Sequence, residues 1–400
     1  MRILALGAAG EMGKVAAGIL AADESVTTVV IADRDGPAAA AAAQSLGAKA
    51  VALELDVTDS RGLGAAMADC DVVVNTVGPY FRFGVPLLRA AIDARRHYVD
   101  ICDDPEPTLD MLALDQQAKA SGVTALIGMG ASPGLSNLLA VIAGRELERV
   151  DEVHTGWSIN GVNTDSTDTV GAAVVHGMQQ ISGTIPVTRN GIVTTRPALE
   201  KIVLQYPGIG IATGRSFGHP EAVTLQRVFG DLVDNTNVVV GDRITLALLS
   251  VLRFAIDHRL VGLDAAARIA NTAERMTPAD PTRMIRPGQL PPLFAVASGI
   301  HAGRPATVAV ALGQFPGFSM AAITGVPLAI AALQLADLDK PGVHTPETAL
   351  EPEPFFGALA QHCIGRPHPT AMTIITRSWQ SAAENRAALN GSLVTAFLNT

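Results

Sequence analysis

Three glycines near the N-terminus have the spacing GxxGxxG, at Gly7, Gly10 and Gly13. They stand between an apolar run and a helical pattern, which is the context in which a glycine turn binds a pyrophosphate. The first glycine permits a tight turn, the second lets a phosphate approach the backbone, and the third lets the helix pack closely. Backbone N–H groups around Glu11 and Met12 would then face the phosphates. The motif predicts a dinucleotide site.

An acidic residue follows the second apolar run. Asp33 lies 20 residues after Gly13, the offset at which a carboxylate accepts hydrogen bonds from the adenosine ribose. A carboxylate there repels a 2′-phosphate, so we expect NAD in preference to NADP. The neighbouring Arg34 weighs in the other direction, since its guanidinium could pair with a 2′-phosphate or lie over the adenine. A turn-forming role is the alternative for Asp33.

The next two strand ends extend this prediction. After the third apolar run, Asp56 could accept from the adenine amino group with Val57 against the ring, although Asp56 or Thr58 could instead cap the next helix. The fourth run ends in a Gly-Pro turn that we expect along the nicotinamide ribose. Its candidate cofactor contacts are Asn75, Thr76, Val77, Gly78 and Pro79.

Several residues near the strand ends could handle a proton. Tyr80 follows the Gly-Pro turn and could relay a proton, and Asp103, after the fifth run, could act as a base or bind an amino group. A solvated turn is the alternative for the acidic residues there. Cys102 beside Asp103, and Pro133 before a later helix, complete the cofactor candidates.

A loop much later in the chain holds Arg, Ser, His and Glu within residues 215–221. His219 is a candidate general acid or base, because the unperturbed pKa of histidine is about 6.5. Arg215 could bind a carboxylate through two hydrogen bonds. A structural or exposed role is the alternative for a lone loop histidine.

The elements that must position these residues alternate between strand and helix in the first part of the chain. Apolar runs predict buried parallel strands at 3–6, 28–32, 50–55, 72–77, 98–101 and 125–127. Helical patterns lie between them, at 12–22, 37–45, 60–67, 85–94 and 108–120. This alternation predicts an α/β fold, a Rossmann-type doubly wound parallel sheet with its ligand edge at the strand carboxyl ends.

The pattern changes after about residue 130. Strand-like stretches at 152–159, 185–195, 222–228 and 294–312 are interrupted by helical ones. This region reads as an α+β domain with a mixed or antiparallel sheet. The uncharged stretch 305–336 is long enough to span a membrane, but its glycines and prolines divide it into a strand, a turn and a helix, so we expect no membrane contact.

The amino-acid composition argues against several classes of function. The chain has 400 residues, 48% of them hydrophobic, and a net charge of −9, which disfavours a nucleic-acid surface. Its three cysteines are far apart and form no CxxC pair, so neither a disulfide framework nor a metal site is indicated. No signal-peptide pattern precedes the first strand, and we expect a cytoplasmic protein with a small-molecule substrate.

Three segments carry a more specific resemblance. Residues 71–105, the Gly-x-x-Pro-Gly segment within 130–137, and residues 324–327 with 342–347 are similar to the saccharopine dehydrogenase-like family, in its saccharopine reductase and lysine 6-dehydrogenase branch. The resemblance implies a Rossmann domain at 1–130, a substrate and dimerisation domain at 131–337, and a C-terminal segment, about 338–400, that returns to the first domain.

The resemblance also implies a chemistry. It predicts hydride transfer between a nicotinamide cofactor and a carbon–nitrogen bond of an amine or amino-acid-like substrate, by a homodimer. Asn137, in the second of the three segments, and Arg215 are the substrate-binding candidates. Two alternatives stay open: a non-catalytic dinucleotide-binding or interaction protein of this fold, and a dehydrogenase of a carbonyl or alcohol.

Overall fold

The chain folds into two compact units. The computed structural model describes residues 1–159, 172–276, 288–317, 319–335 and 337–398. Unit 1 comprises Met1–Leu135 and Met320–Leu350, and unit 2 comprises Ser136–Ser319 and Glu351–Thr400. Each unit contains its own β-sheet.

The strands of the described residues are β1 (Arg2–Leu6), β2 (Thr28–Asp33), β3 (Ala50–Glu54), β4 (Val72–Asn75), β5 (His97–Asp100), β6 (Thr124–Leu126), β7 (Arg149–Ser158), β8 (Thr184–Arg189), β9 (Ile192–Pro197), β10 (Lys201–Tyr206), β11 (Gly210–Ser216), β12 (Asp234–Val240), β13 (Leu293–His301), β14 (Arg304–Leu312), β15 (Gly342–His344) and β16 (Thr373–Arg377).

The α-helices of the same residues are α1 (Glu11–Ala22), α2 (Gly36–Leu46), α3 (Ser60–Ala68), α4 (Tyr80–Asp93), α5 (Pro105–Leu112), α6 (Asp115–Ser121), α7 (Leu135–Arg145), α8 (Ala172–Gln180), α9 (Glu221–Thr224), α10 (Gln226–Phe229), α11 (Arg243–Asp257), α12 (Leu263–Met276), α13 (Met320–Leu335), α14 (Pro346–Ala349), α15 (Pro352–Ala360) and α16 (Ala382–Leu398).

Unit 1 is built on a parallel sheet of seven strands in the order β3-β2-β1-β4-β5-β6-β15. Its central strands are apolar on both faces; in β1, for example, Ile3, Leu4 and Leu6 are each at most 1% exposed. The strand order reverses between β1 and β4, and in open α/β sheets ligands bind at the strand carboxyl ends beside such a reversal. The predicted doubly wound parallel sheet is confirmed.

The chain returns to unit 1 through residues 320–350. Helix α13 packs on α1 so closely that a Cβ at Gly325 would lie 2.6 Å from the carbonyl oxygen of Met12. Strand β15 then extends the sheet by pairing with β6, Gly342 against Thr124. A partly buried hydrogen bond from the Thr124 hydroxyl to the Leu338 carbonyl, 3.2 Å long, links the two segments.

This division differs from the predicted return of about 338–400. Residues after Leu350 lie in unit 2, because β16 pairs antiparallel with β14. The Arg377 guanidinium also donates two hydrogen bonds, of 2.9 and 2.6 Å, to the Glu146 carboxylate. The returning segment is instead Met320–Leu350.

Unit 2 contains a mixed sheet of nine strands. Its main path is β10-β11-β12-β7-β13-β14-β16, and β8 pairs with β12 and β9. Only β12 and β7 run parallel; the other pairs within the described sheet are antiparallel. The prediction of an α+β domain with a mixed or antiparallel sheet is confirmed.

Two elements of unit 2 differ from their prediction. Residues 185–195 form a hairpin rather than one strand, because Asn190 and Gly191 have φ of +48° and +72° and reverse the chain. Residues 222–228 form the short helices α9 and α10 rather than a strand. Residues 294–312 form a second hairpin, with His301 opposite Arg304.

The uncharged stretch 305–336 falls in β14 and α13, as the strand, turn and helix interpretation predicted. Among the described residues, no helix combines the length and the apolar character that a membrane span requires.

Candidate functional site

The glycine turn joins β1 to α1 with little free space. Gly7 has φ of +73°, a conformation that favours glycine, and Gly10 N–H donates to the Gly7 carbonyl at 3.0 Å. A Cβ at Gly13 would lie 2.6 Å from Ala8 Cα and 2.9 Å from Thr76 Oγ1. The three glycines therefore have the conformational and packing roles that the motif predicts.

The N-terminus of α1 is open to an anion. Its N-cap is Gly10, and no side chain caps the helix there. The first helical residues are Glu11 and Met12, so their N–H groups have no acceptor within the helix. A helix of 12 residues also carries a partial positive charge at this end, which favours a phosphate.

The second and third strand ends carry both acids and bases. The Asp33 carboxylate accepts from its own loop, from Asp35 N–H at 3.1 Å, and Arg34 beside it is exposed. Asp56 is exposed too, and hydrogen bonds from the Thr58 N–H and hydroxyl hold its pKa below the usual range. The guanidinium groups of Arg34 and Arg82 lower that pKa further, so two cations lie near this edge.

Asp56 therefore closes a local turn with Thr58, and neither residue is the N-cap of α3. The N-cap of α3 is Asp59, whose carboxylate accepts from Arg61 N–H at 3.1 Å. Val57 is partly buried and packs against the apolar core of unit 1. A role for Asp56 and Val57 at the adenine remains a prediction.

The end of β4 is fastened to β1. Thr76 donates to the Leu6 carbonyl through both its N–H and its hydroxyl, each at 2.9 Å. Val77 N–H donates to Asn75 Oδ1 at 2.9 Å, and the Gly78–Pro79 peptide that follows is cis. The predicted Gly-Pro turn thus lies on the strand next to the glycine turn, at the same edge of the sheet.

Tyr80 is buried beneath this turn. Its hydroxyl donates to the Asn75 carbonyl at 3.0 Å and accepts from Ile101 N–H at 3.3 Å. Burial and the nearby Asp100 carboxylate raise the pKa of Tyr80 well above its ordinary value. These contacts favour a structural part for Tyr80 over the proton relay predicted from its position.

The end of β5 holds the remaining candidates of unit 1. The Cys102 thiol is fully buried, 3.5 Å from the Thr108 hydroxyl, and burial raises its pKa well above the ordinary value. Asp103 is partly exposed and close enough to raise the pKa of Asp100. Pro133 follows a cis peptide and lies against Gly128, at the end of the neighbouring β6.

Asp100 was not among the predicted site residues. It is fully buried at the end of β5 and accepts hydrogen bonds from Cys102 N–H, Gly128 N–H and the Tyr98 hydroxyl, at 3.0, 2.8 and 2.9 Å. Burial raises its pKa to about 6, although these three hydrogen bonds oppose the shift. The available signal was an acidic residue inside an apolar run.

In unit 2, the predicted loop splits into different elements. Arg215 lies in β11, where its guanidinium contacts the Leu199 carbonyl at 3.5 Å. His219 is only 4% exposed and stacks on Trp157, with ring centroids 5.9 Å apart. Phe217 meets the same imidazole edge to face at 5.1 Å. His219 is therefore held in an aromatic setting, whereas Arg215 belongs to the sheet.

A buried carboxylate lies beside His219. Glu221 is fully buried, and its Oε2 is 3.8 Å from His219 Nδ1. Its Oε1 accepts from the Ser136 hydroxyl at 2.6 Å and from Asn237 Nδ2 at 3.3 Å. Asn137, 1% exposed, follows Ser136 directly and so lies in the same cluster. The prediction named His219 and Asn137 but gave no role to Glu221.

An unused donor adjoins this cluster. Among the described residues, the buried indole N–H of Trp157 finds no hydrogen-bond acceptor. Buried polar groups are rarely left so, and such exceptions often mark a ligand or water position.

Comparison with known proteins agrees with the geometry of unit 1. Residues 3–126 match the family model described as the saccharopine dehydrogenase NADP binding domain. The resemblance to this family that was inferred from residues 71–105 is confirmed for residues 3–126.

Curated relatives match over a similar part of the chain. A saccharopine dehydrogenase [NADP(+), L-glutamate-forming] of Pyricularia oryzae is 32% identical over 102 residues, 26% of this chain and 20% of that protein. A trans-acting enoyl reductase of Mycobacterium tuberculosis is 34% identical over 102 residues, 25% of this chain and 24% of that protein. The chain thus matches a quarter or less of the length of these relatives.

A solved structure is similar over both units. Saccharopine dehydrogenase (L-Glu forming) of Saccharomyces cerevisiae aligns with a TM-score of 0.56, covering 89% of this chain and 96% of that one, at 18% identity. At this identity the likeness shows the fold alone, and it confirms a Rossmann-type unit combined with a mixed-sheet unit.

The expected preference for NAD is wrong. The matching family model is described as an NADP-binding domain, which points to NADP rather than NAD. The structure supplies a physical reason, because the Asp33 carboxylate serves the turn of its own loop while Arg34 is exposed beside it. An arginine at this turn accommodates a 2′-phosphate.

Proposed function

We propose that the protein is an NADP(H)-dependent oxidoreductase that transfers a hydride to or from a carbon–nitrogen bond of an amine or amino-acid-like substrate. The observation that carries the proposal is the sheet edge of unit 1. There, the glycine turn, the Gly78–Pro79 turn and the end of β5 follow neighbouring strands of a domain that matches an NADP-binding family.

The residues of unit 1 fit this cofactor. The turn of residues 7–13 and the α1 N-terminus would hold the pyrophosphate, and Arg34 the 2′-phosphate. Residues 76–79 would line the nicotinamide half, and the buried Asn75, Cys102 and Pro133 would support these turns from within the protein. When bound, the nicotinamide supplies or accepts the hydride, and the protein holds the reacting groups in place.

Unit 2 would supply the substrate groups. His219 would exchange a proton with the substrate nitrogen, a role that suits an imidazole near neutral pH. Glu221 would orient the ring from Nδ1, 3.8 Å away, and the Trp157 N–H would donate to a substrate oxygen. Asn137 would contribute a further hydrogen bond to the substrate. We keep Arg215 and Asp103 as secondary substrate and proton candidates.

A carbon–nitrogen substrate is supported by the relative named a saccharopine dehydrogenase, at 32% identity over 102 residues. A second candidate, reduction of an enoyl double bond, is supported by the relative named an enoyl reductase, at 34% identity. Both reactions need a hydride donor and one proton, so the same residues serve either. The two candidates differ in the double bond that is reduced, which is C=N in the first and C=C in the second.

The deciding assay follows NADPH absorbance with purified protein. One set of reactions contains imines formed from amines and 2-oxo acids, a second contains enoyl thioesters, and a third contains ketones without nitrogen. We expect turnover in the first set. Turnover confined to the second set would establish the enoyl candidate, and turnover confined to ketones would refute both. Tight NADPH binding without turnover on any set would favour a non-catalytic protein.

Two matched variants test the proton handler. We expect His219→Gln to lower kcat by about 10²–10⁴-fold, the usual contribution of a general acid or base. Tyr80→Phe should lower it less than about tenfold, because the Tyr80 hydroxyl is engaged with main-chain groups. His219→Gln should also keep the wild-type Kd for NADPH. Equal losses in the two variants would contradict the assignment.

We also propose a cytoplasmic homodimer formed through unit 2, as the family resemblance implies. Light scattering at micromolar concentration should report twice the chain mass of 41.4 kDa. A single-chain mass at that concentration would refute the dimer.

A further inference from the structure

One buried carboxylate connects three neighbouring strand ends of unit 1. Asp100 Oδ1 accepts from Cys102 N–H, just after β5, and from Gly128 N–H, just after β6. Asp100 Oδ2 accepts from the Tyr98 hydroxyl at 2.9 Å. The Asp100 main chain adds a fourth link, because its carbonyl accepts from Met129 N–H at 2.7 Å.

The Tyr98 hydroxyl carries the connection on to β4. It accepts from Asn75 Nδ2 at 2.8 Å, while Asn75 Oδ1 accepts from Val77 N–H at 2.9 Å. The series Val77, Asn75, Tyr98 and Asp100 therefore runs from the Gly-Pro turn to the turn after β6. The side chains of Asn75, Tyr98 and Asp100 are fully buried, and Val77 at the end of the series is half-buried.

We propose that Asp100 is a positioning residue, which holds the turns after β4, β5 and β6 in the arrangement that binds the nicotinamide half of NADP(H), and which does so in its ionised form. The proposal rests on the proposed cofactor site. It assigns no contact between Asp100 and the cofactor, because the carboxylate is fully buried and its acceptor positions face the protein.

Ionisation matters because the Asp100 carboxylate is the acceptor of three hydrogen bonds, from Cys102 N–H, Gly128 N–H and the Tyr98 hydroxyl. A proton on Oδ2 would oppose the proton that Tyr98 donates, and the link to Asn75 would lose its geometry. With a pKa of about 6, Asp100 is ionised above that pH, so nicotinamide-half binding should weaken as the pH falls through 6.

The groups that face Asp100 are consistent with this titration. Burial is the largest cause of the raised pKa, and the nearby Asp103 raises it further. Tyr80, Tyr98 and Cys102 are all buried, and the pKa of each is raised well above its ordinary value, so they stay neutral near pH 6. Helix α13, which packs against β5, contains no titratable side chain.

The test compares NADPH with 2′-AMP, a fragment that contains the adenosine 2′-phosphate but no nicotinamide. Each ligand contains a single phosphate monoester, the 2′-phosphate, which itself titrates at about pH 6, so both ligands share that change. The ratio of their Kd values therefore isolates the nicotinamide half. Calorimetry would measure both ligands from about pH 5 to about pH 8, around the pKa of Asp100.

Two variants accompany the wild type. Asp100→Asn keeps an oxygen for the two N–H groups but removes the charge and the acceptor of the Tyr98 proton. Tyr98→Phe leaves the carboxylate in place and cuts the link to Asn75. At about pH 8, we expect each variant to raise the Kd for NADPH about tenfold, with the Kd for 2′-AMP changed less than twofold. The NADPH-to-fragment ratio should change with pH in the wild type and stay flat in Asp100→Asn.

Equal losses for both ligands, or a wild-type ratio independent of pH, would overturn the positioning role while leaving the proposed function intact. Wild-type protein that binds neither NADPH nor the fragment would overturn the proposed function and this inference together. If Asp100→Asn does not fold, the wild-type pH series and Tyr98→Phe decide the matter.

Discussion

Replacement of Gly13 by alanine perturbs the glycine turn at its tightest point. An added Cβ would lie 2.6 Å from Ala8 Cα and 2.9 Å from both the Gly7 carbonyl oxygen and Thr76 Oγ1. Two of these neighbours are backbone atoms that cannot rotate away. We therefore expect the N-terminus of α1 to shift relative to the turn after β1 and to the end of β4.

The expected magnitude follows from two opposing terms. Overpacking at a tight position costs about 1–3 kcal/mol. Alanine in place of glycine in a helix increases the free energy of unfolding by about 0.5–1 kcal/mol. The net loss should be about 0–2.5 kcal/mol, and its midpoint of about 1 kcal/mol lowers the Tm by about 2–4 °C for a unit of this size.

Gly18 provides a matched control in the same helix. A Cβ there would lie 3.5 Å from Leu46 Cδ2, an ordinary contact distance. Gly18→Ala should therefore gain about 0.5–1 kcal/mol from helix propensity and keep the wild-type Kd for NADPH. The two substitutions are chemically identical and differ in the space available.

The assay is thermal unfolding with and without NADPH, together with calorimetric binding. Gly13→Ala should unfold at a lower temperature than wild type and bind NADPH at least tenfold more weakly, because the phosphate-facing N–H groups are displaced. If Gly13→Ala matched Gly18→Ala in both Tm and Kd, the packing account of the turn would be refuted.

Two further predictions concern charges. Arg34→Ala should weaken NADPH binding about tenfold and leave NADH binding unchanged, with Arg89→Ala as an exposed-arginine control; calorimetry that showed equal losses for both cofactors would exclude a 2′-phosphate contact. Glu146→Gln should cost about 1 kcal/mol at neutral pH by removing the half-buried ion pair with Arg377. The pKa of Glu146 is lowered below 4.5 by Arg377, so this stability is present above that pH and lost as the pH falls through the folded-state pKa. The Tm difference between wild type and Glu146→Gln should then vanish in acid, and a constant difference would contradict the pairing.

The sequence predicted unit 1 well because its determinants are local. Each parallel strand is a short apolar run followed by a turn and a helix, and Gly7 and Gly13 have roles that depend on immediate neighbours. The preference for NAD failed for a related reason. The position of Asp33 was predicted correctly, but its hydrogen bond to Asp35 N–H was not visible in the spacing.

Residues that act through long-range contacts escaped prediction. Asp100 stands within an apolar run, and only the fold brings Gly128 to its carboxylate. Glu221 likewise meets Ser136, 85 positions earlier in the chain. In unit 2 the Asn190-Gly191 pair was a usable hairpin signal, whereas the short helices after His219 had no periodicity long enough to distinguish them from a strand.

Every proposed step requires that unit 1 binds NADP(H) in preference to NAD(H). Calorimetry of the wild-type protein with NADPH and with NADH tests this preference directly. We predict that NADPH binds with a micromolar or lower Kd and that NADH binds at least about tenfold more weakly, since Arg34 would gain a charge-assisted contact only with the 2′-phosphate. Equal or tighter binding of NADH, or no binding of either, would contradict it.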